Sequence, residues 1–236
     1  MGAEVSLPKP YYEHAGIQIF HGDCYELLPE LKASSVDMVL TDSPYAAAAA
    51  TVTTGFAREK WGGNWGDMSL VNLLASRVIG QPFLRPGHQV YWFCDLFSFA
   101  ALMPLFFRSF QLVQSIVWDK DTLGVGGCYR KQTEFILYGR DNDAPKMGTS
   151  ERDLIRLRPN YSEKQHPCAK PVELIYQLAA ATEWECCLDP YMGSGSTLVV
   201  AKQLGRRAIG IEIEERYCEI AAKRLSQEVL SFGEAE

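Results

Sequence analysis

The most constraining feature of this 236-residue chain is a glycine-rich turn between an apolar strand and a helix. From Cys187 to Thr197 the sequence reads CLDPYMGSGST, and a helical stretch follows up to Leu204. The two glycines allow close approach of a ligand to the backbone, and the helix start presents unpaired N–H groups there. The next predicted strand, 207–211, leads into Glu212, where a carboxylate can hold the hydroxyls of a ribose. The segment therefore predicts a nucleotide-like cofactor site.

The glycine turn does not match the two commonest phosphate-binding signatures. Asp189 and Pro190 precede the glycines and no third glycine follows, so the G-x-G-x-x-G dinucleotide fingerprint fails. No Gly-Lys-Ser/Thr follows either, which excludes a P-loop. For such a turn taken alone, a tight strand-to-helix connection without a ligand stays open as the alternative.

Short β-branched or aromatic segments alternate with helical ones along the chain. This order predicts an α/β fold with a mostly parallel sheet and helices on both faces. The predicted strands are 17–20, 36–41, 89–94, 112–118, 133–138, 186–188 and 207–211. The predicted helices are 25–31, 69–79, 97–107, 172–181, 196–204 and 215–225. We expect a single domain over residues 1–236, in which 46–67 and 139–166 fit neither period and form long, functional loops.

Composition limits the class of protein. Hydrophobic residues make up 47% and charged residues 22%, as in soluble globular proteins, and the net charge of -6 argues against a strongly basic nucleic-acid coat. Seven cysteines without a C-x-x-C pair favour a reducing cytoplasm. The longest uncharged apolar stretch, 96–107, is too short to span a bilayer. We expect no membrane association, and no metal, because no histidine stands at zinc-ligand spacing from a cysteine.

A second motif lies at the end of the predicted strand 36–41. The strand leads into Asp42, and the chain then turns through Ser43 and Pro44 to the aromatic Tyr45. Asp, Ser and Pro are common in turns, so this segment alone would not indicate a function.

The two motifs together resemble those of the β group of amino-group DNA methyltransferases, which modify N6 of adenine or N4 of cytosine. The family pattern Asp-Pro-aromatic-x-Gly-Ser-Gly-Ser/Thr-Thr matches 189–197. Its tetrapeptide Asp/Asn/Ser-Pro-Pro-aromatic matches 42–45, with Ser43 in place of the first proline. The catalytic motif precedes the cofactor motif, which is the permuted order of that group. Spanning about 18–225, the resemblance implies a Rossmann-like methyltransferase fold that acts on double-stranded DNA.

The resemblance implies S-adenosylmethionine (SAM) as cofactor and assigns roles to individual residues. Asp42 and the carbonyl of Ser43 accept the hydrogens of the target amine, stabilising the positive charge that develops on it. Pro44 completes the turn, and Tyr45 stacks on the base after its extrusion from the duplex. The residues assigned to the cofactor side are Asp23, Cys24, His166, Lys170, Asp189, Tyr191, Gly193, Ser194, Gly195, Thr197 and Glu212.

Several alternatives stay open on the sequence. Family members with Asp at position 42 mostly modify adenine, so N6 of adenine is favoured over N4 of cytosine. A nicotinamide-dependent oxidoreductase would use the glycine turn and Glu212 but leave 42–45 unexplained. A catalytically inactive DNA-binding relative is suggested by Ser43 and by the run of alanines at 46–50. A covalent mechanism through Cys168 fits poorly, because that residue precedes a Lys-Pro helix start instead of following a strand.

Charge is distributed unevenly along the chain. Residues 120–170 hold ten Lys and Arg against seven Asp and Glu, whereas the remainder holds 13 against 22. Arginine and lysine position a duplex through its phosphates and read guanine edges, although a merely solvated loop is the alternative. We expect 139–166 to recognise the target and 46–67 to cover the flipped base, and a homodimer would widen the DNA surface. The DNA-contact candidates are Arg130, Lys131, Arg152, Arg156 and Arg158.

Overall fold

The computed structural model describes residues 7–44, 68–124, 128–145, 151–159 and 169–227. The strands are β1 (Tyr12–His14), β2 (Ile17–His21), β3 (Val36–Thr41), β4 (Leu84–Cys94), β5 (Leu112–Asp119), β6 (Thr133–Arg140), β7 (Leu154–Arg156), β8 (Cys186–Asp189) and β9 (Arg207–Glu212). The helices are α1 (Cys24–Leu27), α2 (Met68–Ser76), α3 (Leu96–Ser109), α4 (Val172–Ala180), α5 (Ser196–Gln203) and α6 (Glu215–Ser226).

The described strands form one sheet in the order β1-β2-β9-β8-β3-β4-β6-β5-β7. The central run from β2 to β4 is parallel, whereas β6 is antiparallel to both of its neighbours and β1 is antiparallel to β2. This mixed, mostly parallel sheet confirms the predicted fold class.

Successive residues of the central strands point to opposite faces of the sheet, and each face is covered by helices. On β3, Met38 and Leu40 pack with residues of α4, α5 and α6, while Val39 packs with residues of α1, α2 and α3. Tyr91 and Trp92 of β4 are divided between the two faces in the same way. Strands that are buried on both faces carry near-continuous apolar runs, which is why the sequence predicted them well.

Local chemistry explains where the predicted elements differ from the observed ones. The predicted helix 25–31 is a short α-helix followed by a 3-10 turn over Leu28–Glu30, in which Pro29 lacks the N–H that a continuing α-helix needs. Two three-residue strands, β1 and β7, were not predicted, because three residues carry no readable periodicity.

The parallel strands bring the motifs to one edge of the sheet. In register, His21 of β2 faces Glu212 of β9, Asp189 of β8 faces Gly210, and Thr41 of β3 faces Trp92 of β4. From β8 the chain continues to β9 on one side, while β3 lies on the other side, so a topological switch point lies between β8 and β3. Ligands bind at such points, outside the carboxyl ends of the strands.

Within the described part of the chain, no helix is both long and apolar enough to cross a membrane. The cysteines described there are free thiols, and all except Cys128 are buried.

Candidate active site

Asp189 connects the two motifs at the switch point. Its carboxylate accepts hydrogen bonds from Thr41 Oγ1 at 2.9 Å and from Thr197 Oγ1 at 2.7 Å. Thr41 ends β3 immediately before Asp42, and Thr197 lies in the first turn of α5. The turn that begins at Asp42 and the glycine turn therefore share one buried anchor.

The environment of Asp189 changes its acidity. Burial raises the pKa of Asp189 to about 7, and the hydrogen bonds from Thr197 and Thr41 offset only part of that increase. The N–H of Tyr191 donates a third hydrogen bond to the same carboxylate at 3.2 Å. Through these three hydrogen bonds, the buried Asp189 carboxylate fixes the conformation of the glycine turn.

The glycine turn is shaped by close packing against α6. Gly195 has φ +78°, and a Cβ at this position would lie 2.8 Å from Cβ of Ala221. Glycine is therefore required both by the left-handed backbone and by the space available. From the same helix, a guanidinium nitrogen of Arg224 donates to the Ser194 carbonyl at 2.6 Å.

Glu212 lies at the end of β9, in contact with the glycine turn. Its carboxylate accepts from the N–H of Gly193 at 3.0 Å and from the N–H of Glu214 at 2.9 Å. Burial raises the pKa of Glu212, although these backbone hydrogen bonds counteract the increase. A carboxylate with further lone pairs beside a turn that contains two glycines fits the ribose and backbone-facing parts of SAM.

The turn after β2 lies next to Glu212. Asp23 caps α1 by accepting from the N–H of Tyr25 at 2.9 Å. Cys24 is buried, and Tyr191 packs against the same apolar cluster. The structure thus brings Asp23, Cys24, Tyr191, the glycine turn and Glu212 to one edge of the sheet.

Asp42 is held by a chain of ion pairs that sequence analysis did not foresee. Lys170 Nζ lies 2.6 Å from Asp42 Oδ2 and 3.4 Å from a carboxylate oxygen of Glu134. Glu134 in turn pairs with Lys120. Burial would raise the pKa of Glu134, yet the ammonium groups of Lys170 and Lys120 hold it below its ordinary value. Charges of alternating sign therefore run from Lys120 through Glu134 and Lys170 to Asp42.

The second oxygen of Asp42 has a different environment. Oδ1 is buried and has no hydrogen-bond partner among the described residues. A buried carboxylate oxygen left unpaired is costly unless a donor reaches it. The adjacent Ser43 is 3% exposed, and its Oγ accepts from Nε1 of Trp92 at 2.9 Å. The turn then continues into the partly buried Pro44.

Two predicted site residues, Tyr45 and His166, lie outside the described residues, as do all of 46–67 and parts of 139–166. Nothing structural is assigned to them.

The five DNA-contact candidates are all exposed. Arg130 and Lys131 immediately precede β6, and Arg156 and Arg158 lie at the end of β7, so these four are at the same sheet edge as Asp42. Arg152 precedes β7 and lies toward the opposite edge. Arg156 also binds Asp119 at 2.8 Å; hydrogen bonds from Gln132, the N–H of Asp121 and Arg156 lower the pKa of Asp119 to about 2.

Four contributors to the site were missed by sequence reasoning: Thr41, Trp92, Lys120 and Glu134. Glu134 carried the clearest signal, because a charged residue at the start of a strand as buried as β6 requires a partner. Within the described residues, no three His, Cys, Asp or Glu side chains are grouped to hold a metal ion.

Comparisons with known proteins agree with this geometry. A family model described as DNA methylase, of the N6/N4 methyltransferase type, matches residues 36–223. The chain is 30% identical to the type II methyltransferase M2.DpnII of Streptococcus pneumoniae, and the match covers 95% of both proteins.

Two solved structures are similar in fold. The SAM complex of M1.HpyAVI has 25% sequence identity and a TM-score of 0.61, with 88% of this chain and 99% of that one covered. The PvuII cytosine-N4-specific DNA methyltransferase has a TM-score of 0.74 over 94% of this chain and 91% of that one; at 16% identity, this likeness concerns the fold alone.

The family match covers both motifs, and the described residues of those motifs meet at one switch point of the sheet. The chain belongs to the N6/N4 DNA methylase family and is a SAM-dependent DNA methyltransferase.

Proposed function

We propose that this enzyme transfers the methyl group of SAM to N6 of adenine in double-stranded DNA. The observation that carries the proposal is the asymmetric environment of Asp42. One carboxylate oxygen is held by Lys170, whereas the other is buried and unpartnered among the described residues. That second oxygen is an acceptor available for one hydrogen of an exocyclic amine.

The chemistry of the amine explains why acceptors are needed. Its lone pair is conjugated into the aromatic base, so the nitrogen is a weak nucleophile. Acceptors on both hydrogens favour the pyramidal nitrogen and stabilise its developing positive charge. Asp42 Oδ1 and the backbone carbonyl of Ser43 fill these roles. SAM supplies the electrophilic methyl group for a direct in-line transfer, without a covalent enzyme intermediate.

On the cofactor side, the proposal uses the residues around the glycine turn. Glu212 holds the ribose hydroxyls, and the start of α5 presents backbone N–H groups to the ligand. Asp23 and Cys24 line the adenine end, as the resemblance implies. Asp189 is buried beneath these residues and has a structural role, because its carboxylate accepts hydrogen bonds from Thr41 and Thr197.

On the DNA side, the target base must leave the duplex to reach this edge. We propose that Tyr45 stacks on the flipped base, with 46–67 as its cover and 139–166 as the recognition segment. The exposed Arg130, Lys131, Arg156 and Arg158 lie at the correct edge for phosphate or base contacts.

The choice of adenine rests on Asp42, since family members with Asp at this position mostly modify adenine. The test is to incubate the protein with tritium-labelled SAM and mixed-sequence duplex, digest the DNA to nucleosides and separate them. Label in N6-methyl-2′-deoxyadenosine is the expected result. Label in N4-methyl-2′-deoxycytidine would refute the choice of base, and no label in DNA would refute the proposed reaction.

The proposal includes a homodimer acting in the cytoplasm. Free thiols, most of them buried, suit a reducing compartment. Leu73 on α2 and Leu96, Phe97 and Phe107 on α3 are exposed apolar side chains that a second copy would cover. Sedimentation equilibrium tests this part of the proposal: a monomer at micromolar concentration would contradict it.

A further inference from the structure

Ser43 stands where the family pattern has a proline, and its backbone therefore lacks the ring that would fix φ near −65°. Pro44 restricts the preceding residue to extended conformations but does not select one of them. The Ser43 carbonyl is the proposed second acceptor for the amine. Its direction needs a further restraint, because a small misplacement of a reacting group is costly in rate.

The structure supplies such a restraint from β4. Trp92 Nε1 donates to Ser43 Oγ at 2.9 Å. Trp92 is fully buried, Ser43 is 3% exposed, and Trp92 is the register partner of Thr41 on β3. A buried indole N–H that loses its acceptor stays desolvated and unpaired, so the fold strongly favours keeping this bond. The ring that holds Ser43 is itself fixed by the sheet.

We propose that Trp92 is a positioning residue for methyl transfer. Its indole N–H anchors the Ser43 side chain and so takes over the restraint that a proline ring would provide. The Ser43 carbonyl then stays directed at the target amine. This inference rests on the proposed function, because the carbonyl direction matters only if an amine is the substrate.

Two single variants remove the hydrogen bond from either side. Ser43→Ala removes the acceptor and leaves the carbonyl in place, and Trp92→Phe removes the donor. Each is expected to lower kcat about 10-fold at saturating SAM and DNA, with the Kd for SAM unchanged. The double variant W92F/S43A is expected to be no slower than either single variant, because both remove the same bond.

Recovery of kcat by a proline at position 43 distinguishes a positioning role of Trp92 from a merely structural one. In W92F/S43P the proline ring replaces the lost hydrogen bond, so most of the wild-type kcat should return. If this variant does not fold, the W92F/S43A cycle still decides the question. Additive losses in that cycle would overturn the proposal.

Trp184→Phe is a matched control, because it removes another buried indole donor far from Ser43 in the sequence. Trp184 lies beyond the end of α4, and its Nε1 donates to the carbonyl of Ala179 within that helix at 2.7 Å. This variant should lose stability and keep the wild-type kcat. Unchanged kcat in S43A and W92F, or an equal loss in W184F, would overturn the role of Trp92. A wild-type protein that methylates no DNA would instead refute the proposed function.

Discussion

Removing the charge of Lys170 tests the ion-pair chain that holds Asp42. Lys170 is 10% exposed at its side chain and pairs with Asp42 and Glu134, which are 25% and 19% exposed. Removing one partner of a buried ion pair costs roughly 3–5 kcal/mol because the remaining charge stays buried. Since both carboxylates keep some solvent contact, we expect Lys170→Met to lower the free energy of unfolding by about 3 kcal/mol at pH 7.

The loss should depend on pH. Lys170 and Lys120 hold the pKa of Glu134 below its ordinary value, against the effect of burial. A carboxyl group with a lowered native-state pKa adds stability above its unfolded pKa, about 4.3, and loses that contribution as pH falls through the native value. The difference between wild type and Lys170→Met is therefore largest near neutral pH and shrinks below about pH 4.

Urea unfolding of both proteins at several pH values measures this difference. Lys223→Met is the matched control, because Lys223 and its partner Glu219 are 72% and 57% exposed and form an i,i+4 pair. Such a pair contributes about 0.5 kcal/mol or less. If Lys170→Met lost the same free energy at about pH 3 and at pH 7, the loss would come from packing, and the electrostatic account would be refuted.

Three further predictions concern the cofactor side. Glu212→Gln removes a charged acceptor and should weaken SAM binding about 10-fold or more by calorimetry; equal affinity would argue against the ribose contact. Gly195→Ala, with φ +78° and a Cβ 2.8 Å from Ala221, should unfold at lower urea than Gly193→Ala, whose Cβ meets nothing within 4 Å. Asp189→Asn removes a carboxyl group with a pKa of about 7. Between pH 4 and 7, Asp189 holds a proton in the native wild type but not in the unfolded chain. The stability of the wild type therefore decreases as the pH rises through this range. The variant should therefore gain up to about 4 kcal/mol relative to wild type across that range, and parallel pH profiles would contradict this.

The sequence was most informative where local patterns carry the structure. The predicted strand 36–41 coincides with β3, and 186–188 and 207–211 each stop one residue short of β8 and β9. These strands are buried on both faces, so their apolar runs are unambiguous. The glycine turn was also readable, because its backbone conformation demands particular residue types.

Long-range pairings were not readable from the sequence. Lys170 was assigned to the cofactor side, and its partner Asp42 lies 128 residues away in the chain. Local composition does not indicate which carboxylate a lysine will meet once β3, β6 and the start of α4 converge. The hydrogen bond between Trp92 and Ser43 is of the same kind, since strand register alone brings the two residues together.

The most direct test of the account separates cofactor binding from methyl transfer at Asp42. With SAM bound in advance, Asp42→Ala should bind SAM as wild type does, while its single-turnover rate on duplex DNA falls about 10²-fold or more. Asp143→Ala, an exposed carboxylate after β6, serves as the control and should keep both properties. A wild-type rate in Asp42→Ala, or loss of SAM binding with turnover retained, would contradict the claim that Asp42 accepts a hydrogen bond from the target amine.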